Sequence, residues 1–319
     1  MESLVKDQPR QVPPLSQLKV RLGPSGIHLF ERMKGLNILL DEVRVPPNLW
    51  ARAPRQVSIA LTNACDLSCP YCFAPKNPAW LDVGEVMGWL TELDGDGCLG
   101  VGFGGGEPTL HRSLADLCHY TAKSTGLAVT FTTHAHRLDD RLISSLSGNV
   151  HFVRVSMDGV GNTYEALRGR PFVAFREQMK QLRHLAPFGI NFVVNAQTFP
   201  DLDAAIELAA DVGASEFLLL PEQPTRTGPG IDSPTTTALR DWVHFYRGCV
   251  PLTISEAGSD GLPICNPLSG EDGLRSYAHI DAAGVLKRSS YALDGVPLKG
   301  CGVIAALQLL RKFLSEDTQ

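Results

Sequence analysis

Cys65, Cys69 and Cys72 place three thiols within eight positions, in the run Thr62-Asn-Ala-Cys65-Asp-Leu-Ser-Cys69-Pro-Tyr71-Cys72-Phe73 that directly follows an apolar segment. Thiolates at C-x-x-x-C-x-x-C spacing on one short loop suit a metal cluster. They can bind three irons of a cubane [4Fe–4S] cluster and leave the fourth without a protein ligand. An iron left open in this way is where an outside molecule can bind and react. Zinc is the competing metal, but zinc ribbons pair one C-x-x-C with a second about 15–20 residues on, and no second pair exists here. A disulfide framework is disfavoured too. The chain is long, holds only eight Cys in 319 residues, and begins no secretory pattern at Met1-Glu2-Ser3.

Two further stretches carry chemistry. Gly105-Gly106-Glu107-Pro108 follows the apolar run 99–103, and Val153-Arg154-Val155-Ser156-Met157-Asp158-Gly159 ends a second one. With the cysteine triplet and Tyr71 between its last two members, these motifs stand in the order seen in the radical S-adenosylmethionine (SAM) superfamily, which the chain resembles over about residues 55–230. The Ser-x-Asp-Gly strand end is similar to that of the peptide-modifying branch. The resemblance implies that Cys65, Cys69 and Cys72 hold a [4Fe–4S] cluster and that SAM binds its open iron through amino nitrogen and carboxylate. It further implies that one electron, from a donor such as flavodoxin or ferredoxin, cleaves SAM to a 5′-deoxyadenosyl radical that abstracts hydrogen from a substrate. Gly105, Gly106 and Glu107 are then expected at the methionine ammonium, with Ser156 as a cofactor contact. Arg168 of Arg168-Gly169 is expected at the SAM carboxylate and Asn195 at the ribose. No catalytic residue beyond these is assigned.

Ordinary readings stand beside each of these. Gly104-Gly105-Gly106 could be a plain loop, Ser156 an N-cap, Asp158-Gly159 a turn, Arg168 a solvated helix-end charge and Asn195 a polar residue turned into a barrel interior. His134 and His136 read as substrate-pocket or surface residues, because a lone pair leaves a transition metal under-coordinated. Cys118 reads as a buried small hydrophobe, and Cys98 as the same or as a partly exposed loop thiol. Cys249, Cys265 and Cys301 could hold an auxiliary cluster with one outside ligand, or supply a catalytic thiol, or be three unrelated thiols.

Elements able to position these residues are legible from Val57 onward, where apolar runs alternate with amphipathic stretches, the pattern of a parallel sheet. Strands are expected at Val57–Leu61, Gly100–Gly104, Ala128–Thr133, Phe152–Met157, Asn191–Gln197 and Glu216–Leu220. Helical spacing covers Val83–Leu93, Ser113–Thr125, Asp139–Leu146, Phe172–Leu185, Leu202–Val212 and Thr235–Tyr246. Six βα units fall short of a closed eight-stranded barrel. The fold class is therefore α/β, a partial (β/α)6 TIM-like barrel over residues 55–248. A short preface, 1–54, carries a possible hairpin around Gly23-Pro24-Ser25-Gly26. A small extension, 249–319, carries a hairpin turning near Gly284. That extension resembles the start of a twitch or SPASM module, although Arg288-Ser289-Ser290 stands where such modules carry a cysteine. Every chemistry-bearing residue of the core falls at a strand's carboxyl end, the ligand-binding edge of parallel α/β folds.

With a net charge of −5 and no basic run, the chain lacks the footprint of a nucleic-acid binder. No apolar stretch is long enough for a membrane span, and a cytoplasmic location is expected. Three functions remain in view: a radical SAM enzyme acting on a ribosomally made peptide; one acting on a small sugar or nucleotide, with Arg226 or Lys287 clamping an anionic group; and a metal-stabilised binding protein that never cleaves SAM.

Overall fold

The computed structural model describes residues 18–225 and 228–316; Arg226 lies outside them. The core is a ten-stranded sheet in the order β10-β9-β8-β7-β6-β5-β4-β11-β12-β13. Its strands are β4 (Gln56–Thr62), β5 (Gly100–Gly105), β6 (Ala128–Thr133), β7 (Phe152–Ser156), β8 (Phe188–Val194), β9 (Glu216–Pro221), β10 (Leu252–Ile254), β11 (Tyr277–Ile280), β12 (Val285–Lys287) and β13 (Val296–Pro297). All pairings from β10 through β11 are parallel, and only β12 and β13 run antiparallel. The six expected strands form the centre. The sheet does not close, in keeping with a partial barrel, and it gains one parallel strand on each side: β10, which the sequence did not reveal, and β11, expected as a hairpin arm but not as a neighbour of β4.

Alternation decides which face of each strand packs on helices. Val57, Ile59 and Leu61 of β4, Val101 and Phe103 of β5, and Val153 and Val155 of β7 are fully buried. They share one apolar cluster with Val86, Leu90 and Leu93 of α1 (Val83–Gly95) and with Leu114, Leu117 and Cys118 of α2 (Leu114–Ser124). The opposite face lines the barrel interior and is small or polar: Ser58, then Gly100, Gly102 and Gly104, then Thr130, Arg154 and Ser156. At the strands' amino ends this interior is filled, since Arg154 pairs with Glu216 at 2.5 Å and a Cβ on Gly189 would lie 2.7 Å from Glu216 Cγ. Toward the carboxyl ends it opens, and a Cβ on Gly104 would meet nothing within 4 Å.

The remaining core helices are α3 (Asp140–Leu146), α4 (Asn162–Arg168), α5 (Phe172–Leu182), α6 (Leu202–Asp211) and α7 (Ser233–Phe245). Asp82 caps α1 and Asp139 caps α3 through their side chains.

The preface folds into a separate antiparallel sheet, β1 (Lys19–Gly23), β2 (Gly26–Glu31) and β3 (Leu36–Leu40). Its expected hairpin is present, and β3 is an addition. Arg21 donates to the carbonyls of Ala53 and Gly97, just ahead of β4 and β5, and to Glu271 Oε2 at 3.0 Å. Arg32 donates to the carbonyls of Thr125 and Leu127, ahead of β6. The small sheet is thus fixed to the amino ends of the core strands, the end opposite the cysteine loop.

The C-terminal segment joins the core rather than standing apart from it. After the short α8 (Gly273–Ser276), β11 pairs directly with β4, and Gly284 takes φ 74° in the turn to β12, where the hairpin was expected. The closing α9 (Val303–Glu316) packs on α1, β12 and β13.

Candidate functional site

Three loops after neighbouring strands are stitched together at the open end. Thr62 ends β4, and its hydroxyl accepts the Ala64 N–H and donates to the Ala79 carbonyl, so both ends of the cysteine loop are pinned. The loop after β5 lies directly on it: Gly106 N–H donates to Thr62 O and Glu107 N–H to Ala64 O. This contact explains the glycines. Gly105 sits at φ 129°, where a Cβ would lie 2.1 Å from Thr62 O, and a Cβ on Gly106 would lie 2.2 Å from Ala64 O. Gly105 and Gly106 therefore serve close packing between the two loops, while Gly104 faces the open interior.

Glu107, expected at the methionine ammonium, sits among donors from its own chain. Its carboxylate is 1% exposed and already accepts from Thr109 N, Thr109 Oγ1 and Thr133 Oγ1, and from His134 N. Three of these donors share Oε1 and one takes Oε2, so the side chain ties β5 to β6. Asn195 is likewise committed. Its Oδ1 accepts the Gln197 and Thr198 amides, and its Nδ2 donates to Glu222 Oε2 at 2.7 Å, in a turn closing β8. Ser156 is half-buried on the interior face of β7, with its backbone in register with Asn191.

Arg168 is no solvated helix end. It reaches back from α4 to pair with Asp158 Oδ2, and that same oxygen accepts the Tyr71 hydroxyl. Asp158 Oδ1 takes the Val193 amide at 2.7 Å. Burial opposes the Arg168 charge, but the Asp158 carboxylate more than offsets it and holds the guanidinium above its ordinary value. Burial, reinforced by the Asp158 charge, pushes the Tyr71 phenol up. One nitrogen of this guanidinium, Nε, is buried without any acceptor.

His134, expected as a pocket or surface group, is 4% exposed. Its Nε2 lies 2.8 Å from Asp66 Oδ1 and 3.3 Å from Glu107 Oε2. It is placed by Ala135, which takes the left-handed φ of 68°, uncommon for a residue with a Cβ. Sequence alone missed Asp66, Glu222 and Tyr291. The Tyr291 ring, from the loop after β12, packs on Phe73 at 4.8 Å and brings the C-terminal segment over the cysteine loop.

Cys65, Cys69 and Cys72 are partly exposed, and none is in a disulfide. Burial pushes the Cys65 and Cys69 thiols up; the Leu67 amide on Cys65 Sγ and the Arg168 charge near Cys69 pull them back. Bound iron would displace those protons, as metals do at thiolate sites. The donor set fits a cubane cluster: three sulfurs on one loop, one already taking an amide N–H. The same space fits SAM in two respects, the open interior beside Gly104 and the orphaned Arg168 Nε, a donor suited to a carboxylate. Cys65 Sγ, the Asp66 carboxylate and a His134 ring nitrogen also lie within 4.8 Å of one another. Asp66, however, is paired with Arg137 and Arg170 as well, and two guanidinium groups on its carboxylate repel a cation from that trio.

The auxiliary thiols are not gathered by the sheet order. Cys249 precedes β10 and Cys301 follows β13, at opposite edges, with exposed Cys265 on the intervening loop. Lys287, proposed as an anion clamp, is paired with Asp281 at 2.8 Å.

Comparison with known proteins agrees with this geometry. A match to the radical SAM superfamily covers residues 59–211. Sporulation killing factor maturation protein SkfB of Bacillus subtilis is 29% identical over 189 residues, 56% of this chain and 45% of that one. The GTP 3′,8-cyclase of Chlorobaculum tepidum is 34% identical over 113 residues, 34% of each chain. The chain thus spans less than half the length of these curated relatives. Among solved structures, Streptococcus suis SuiB bound to precursor peptide SuiA aligns with a TM-score of 0.70 at 13% identity, covering 91% of this chain and 87% of that one.

Proposed function

Because this chain belongs to the radical SAM superfamily, we propose that it is a radical SAM enzyme that modifies a ribosomally made peptide. When bound, a [4Fe–4S] cluster and SAM supply a reductively generated 5′-deoxyadenosyl radical that takes a hydrogen atom from the substrate. Cys65, Cys69 and Cys72 would hold the cluster. Arg168, fixed by Asp158 and Tyr71, would orient the SAM carboxylate through its free Nε, and the Gly104–Gly106 backbone would face the methionine end. Ser156 lies beside them on the interior wall. Tyr291 packs on Phe73 beside the last of these cysteines. The observation that carries the peptide reading is the relation to a peptide maturase over more than half of this chain, supported by the peptide-bound fold neighbour.

Iron and sulfide analysis of anaerobically reconstituted protein, followed by assay for 5′-deoxyadenosine with dithionite, tests the chemistry. A mass change in a precursor peptide encoded beside the gene tests the substrate. Zinc in place of iron and sulfide would remove the first claim; turnover of SAM with no neighbouring peptide altered would remove the second. The relation to the GTP cyclase over a third of the chain favours the small-molecule reading in that event. The eight unpaired cysteines support a reducing, cytoplasmic location, and no helix among the described residues is long and apolar enough to cross a membrane.

A further inference from the structure

β11 places a hydrogen-bonded trio on the inner wall of the barrel. Ala278 and Ile280 are fully buried in the apolar cluster, so alternation turns Tyr277 and His279 to the opposite face. His279 stands in register with Ser58 of β4, and Ser58 with Gly102 of β5, two residues below Gly104. Ser58 Oγ lies 2.5 Å from the Tyr277 hydroxyl and 2.7 Å from His279 Nδ1. Desolvation raises the Tyr277 phenol against the opposing pull of the Ser58 bond, so it keeps its proton at neutral pH. Donor count sets the direction of these bonds. The phenol has no other acceptor among the described residues, so Tyr277 donates to Ser58, Ser58 donates to His279 Nδ1, and the ring proton sits on Nε2. Burial keeps the ring neutral, lowering it to about 4, with Asp281 opposing and Lys287 adding to the fall. Its Nε2 has no hydrogen-bond partner among the described residues, yet it is not sealed from solvent. The charges beside it answer each other, since Lys287, in register with His279, pairs with Asp281 at 2.8 Å. Tyr291 links this wall to the cysteine loop. Desolvation raises its phenol, and Tyr277, Cys72, Asp158 and Glu222 add to the rise, so all four border one space.

We infer that His279 is a substrate-binding residue whose Nε2–H donates to a neutral amide carbonyl of the peptide, with Ser58 and Tyr277 as positioning residues that fix the tautomer and tilt of the ring. The inference deepens the peptide reading above and rests on it. A neutral donor beside a closed ion pair offers no net charge to attract a carboxylate or phosphate, whereas a carbonyl oxygen supplies the acceptor that Nε2 lacks. A purely structural tie between β11 and β4 would use Nδ1 alone and give the other ring nitrogen nothing to do.

Ring nitrogen-15 spectra of histidine-labelled, reconstituted protein read the tautomer and the contact apart from turnover. His279 should show the Nε2–H tautomer at neutral pH, and Ser58→Ala should convert it to a mixture. N-methylacetamide should shift the Nε2 signal, while acetate and inorganic phosphate at equal concentration leave it unmoved. With a precursor peptide encoded beside the gene, His279→Leu should raise KM about three- to tenfold, the size of one lost hydrogen bond, with kcat little changed. His279→Gln, which keeps a side-chain N–H, should recover most of that loss. Iron content and SAM affinity should stay as in wild type in both. His119→Gln, on the exposed side of α2, should change nothing. An Nδ1–H tautomer, no shift with the amide, an equal shift with either anion, or KM values alike in wild type and the Leu variant would overturn the inference. SAM turnover that leaves every neighbouring peptide unaltered would instead overturn the peptide reading, with the tautomer and amide results standing.

Discussion

Tyr71 and Arg168 converge on one carboxylate oxygen, Asp158 Oδ2, so a residue lying between two cysteines of the loop sets the position of a guanidinium at the end of α4. The guanidinium also lies 6.0 Å from the Tyr71 ring centre. Removing the phenol oxygen leaves the pair intact but unanchored on the loop side. Tyr71→Phe should therefore retain iron yet bind SAM about tenfold more weakly, the order expected when a hydrogen bond to a charged group is lost. Equilibrium dialysis with the reconstituted protein measures it, and Arg168→Lys should be worse because a point charge cannot replace the planar fork.

The three consecutive glycines should separate cleanly. Gly105→Ala and Gly106→Ala force a Cβ to within about 2 Å of backbone oxygens of the cysteine loop, so both should lower iron incorporation and the urea midpoint. Gly104→Ala meets open space and should leave the midpoint within about 0.5 kcal/mol of wild type, while weakening SAM binding. Equal stability losses at all three positions would contradict this division.

Glu271 is 5% exposed and pairs with both Arg21 and Arg55. Truncating it to Ala leaves Arg21, itself 2% exposed, as a buried charge with backbone carbonyls but no counter-charge, a change that costs about 3–5 kcal/mol. The loss should appear in chemical denaturation, with SAM affinity unchanged in the protein that remains folded, because this ion pair stands at the other end of the barrel.

Acid should destabilise the fold through its buried histidines. Burial lowers His279 to about 4 from an ordinary 6.5, with Asp281 pulling it up and Lys287 adding to the fall. His136 is lowered to about 4, chiefly by burial and then by His134. The unfolded chain then binds more protons than the folded one between these values. The stability is complete above about pH 6.5 and is lost as pH falls toward 4. Urea midpoints from pH 7 to 4.5 should fall in that window, and His279→Gln should flatten the slope.

What could be read beforehand was what neighbouring residues encode. β6 has the expected bounds, and the Gly284 turn and the Gly23–Gly26 hairpin formed as their residues dictate. β8 begins at Phe188, three residues before the expected Asn191, because Phe188 and Gly189 pair with Val153 and Arg154 across the sheet. α4 was absent from the expected helices because its N-cap is Gly161, with no side chain to announce it. α9 carries readable spacing at Val303, Ile304, Leu307 and Leu310, obscured by the Gly and Pro of the surrounding segment. β11 was legible as one arm of the Gly284 hairpin, but its parallel pairing with β4 was not, because that partner lies more than two hundred positions away. The site divided in the same way. The cysteines announced themselves by spacing, whereas Asp66 with His134, and Asp158 with Tyr71, meet only after separate loops have been brought to one edge.

The seating of β11 against β4 also bears on how the protein is made. Ser58 contacts His279 across 221 positions, so during synthesis the strand leading into Cys65 emerges well before β11 and keeps a bare edge until that later strand has followed it. Long-range parallel pairing of this kind forms slowly and leaves partly built sheets prone to association. Shortening the chain before Tyr277 would strip the flank of the very strand that leads into the thiols.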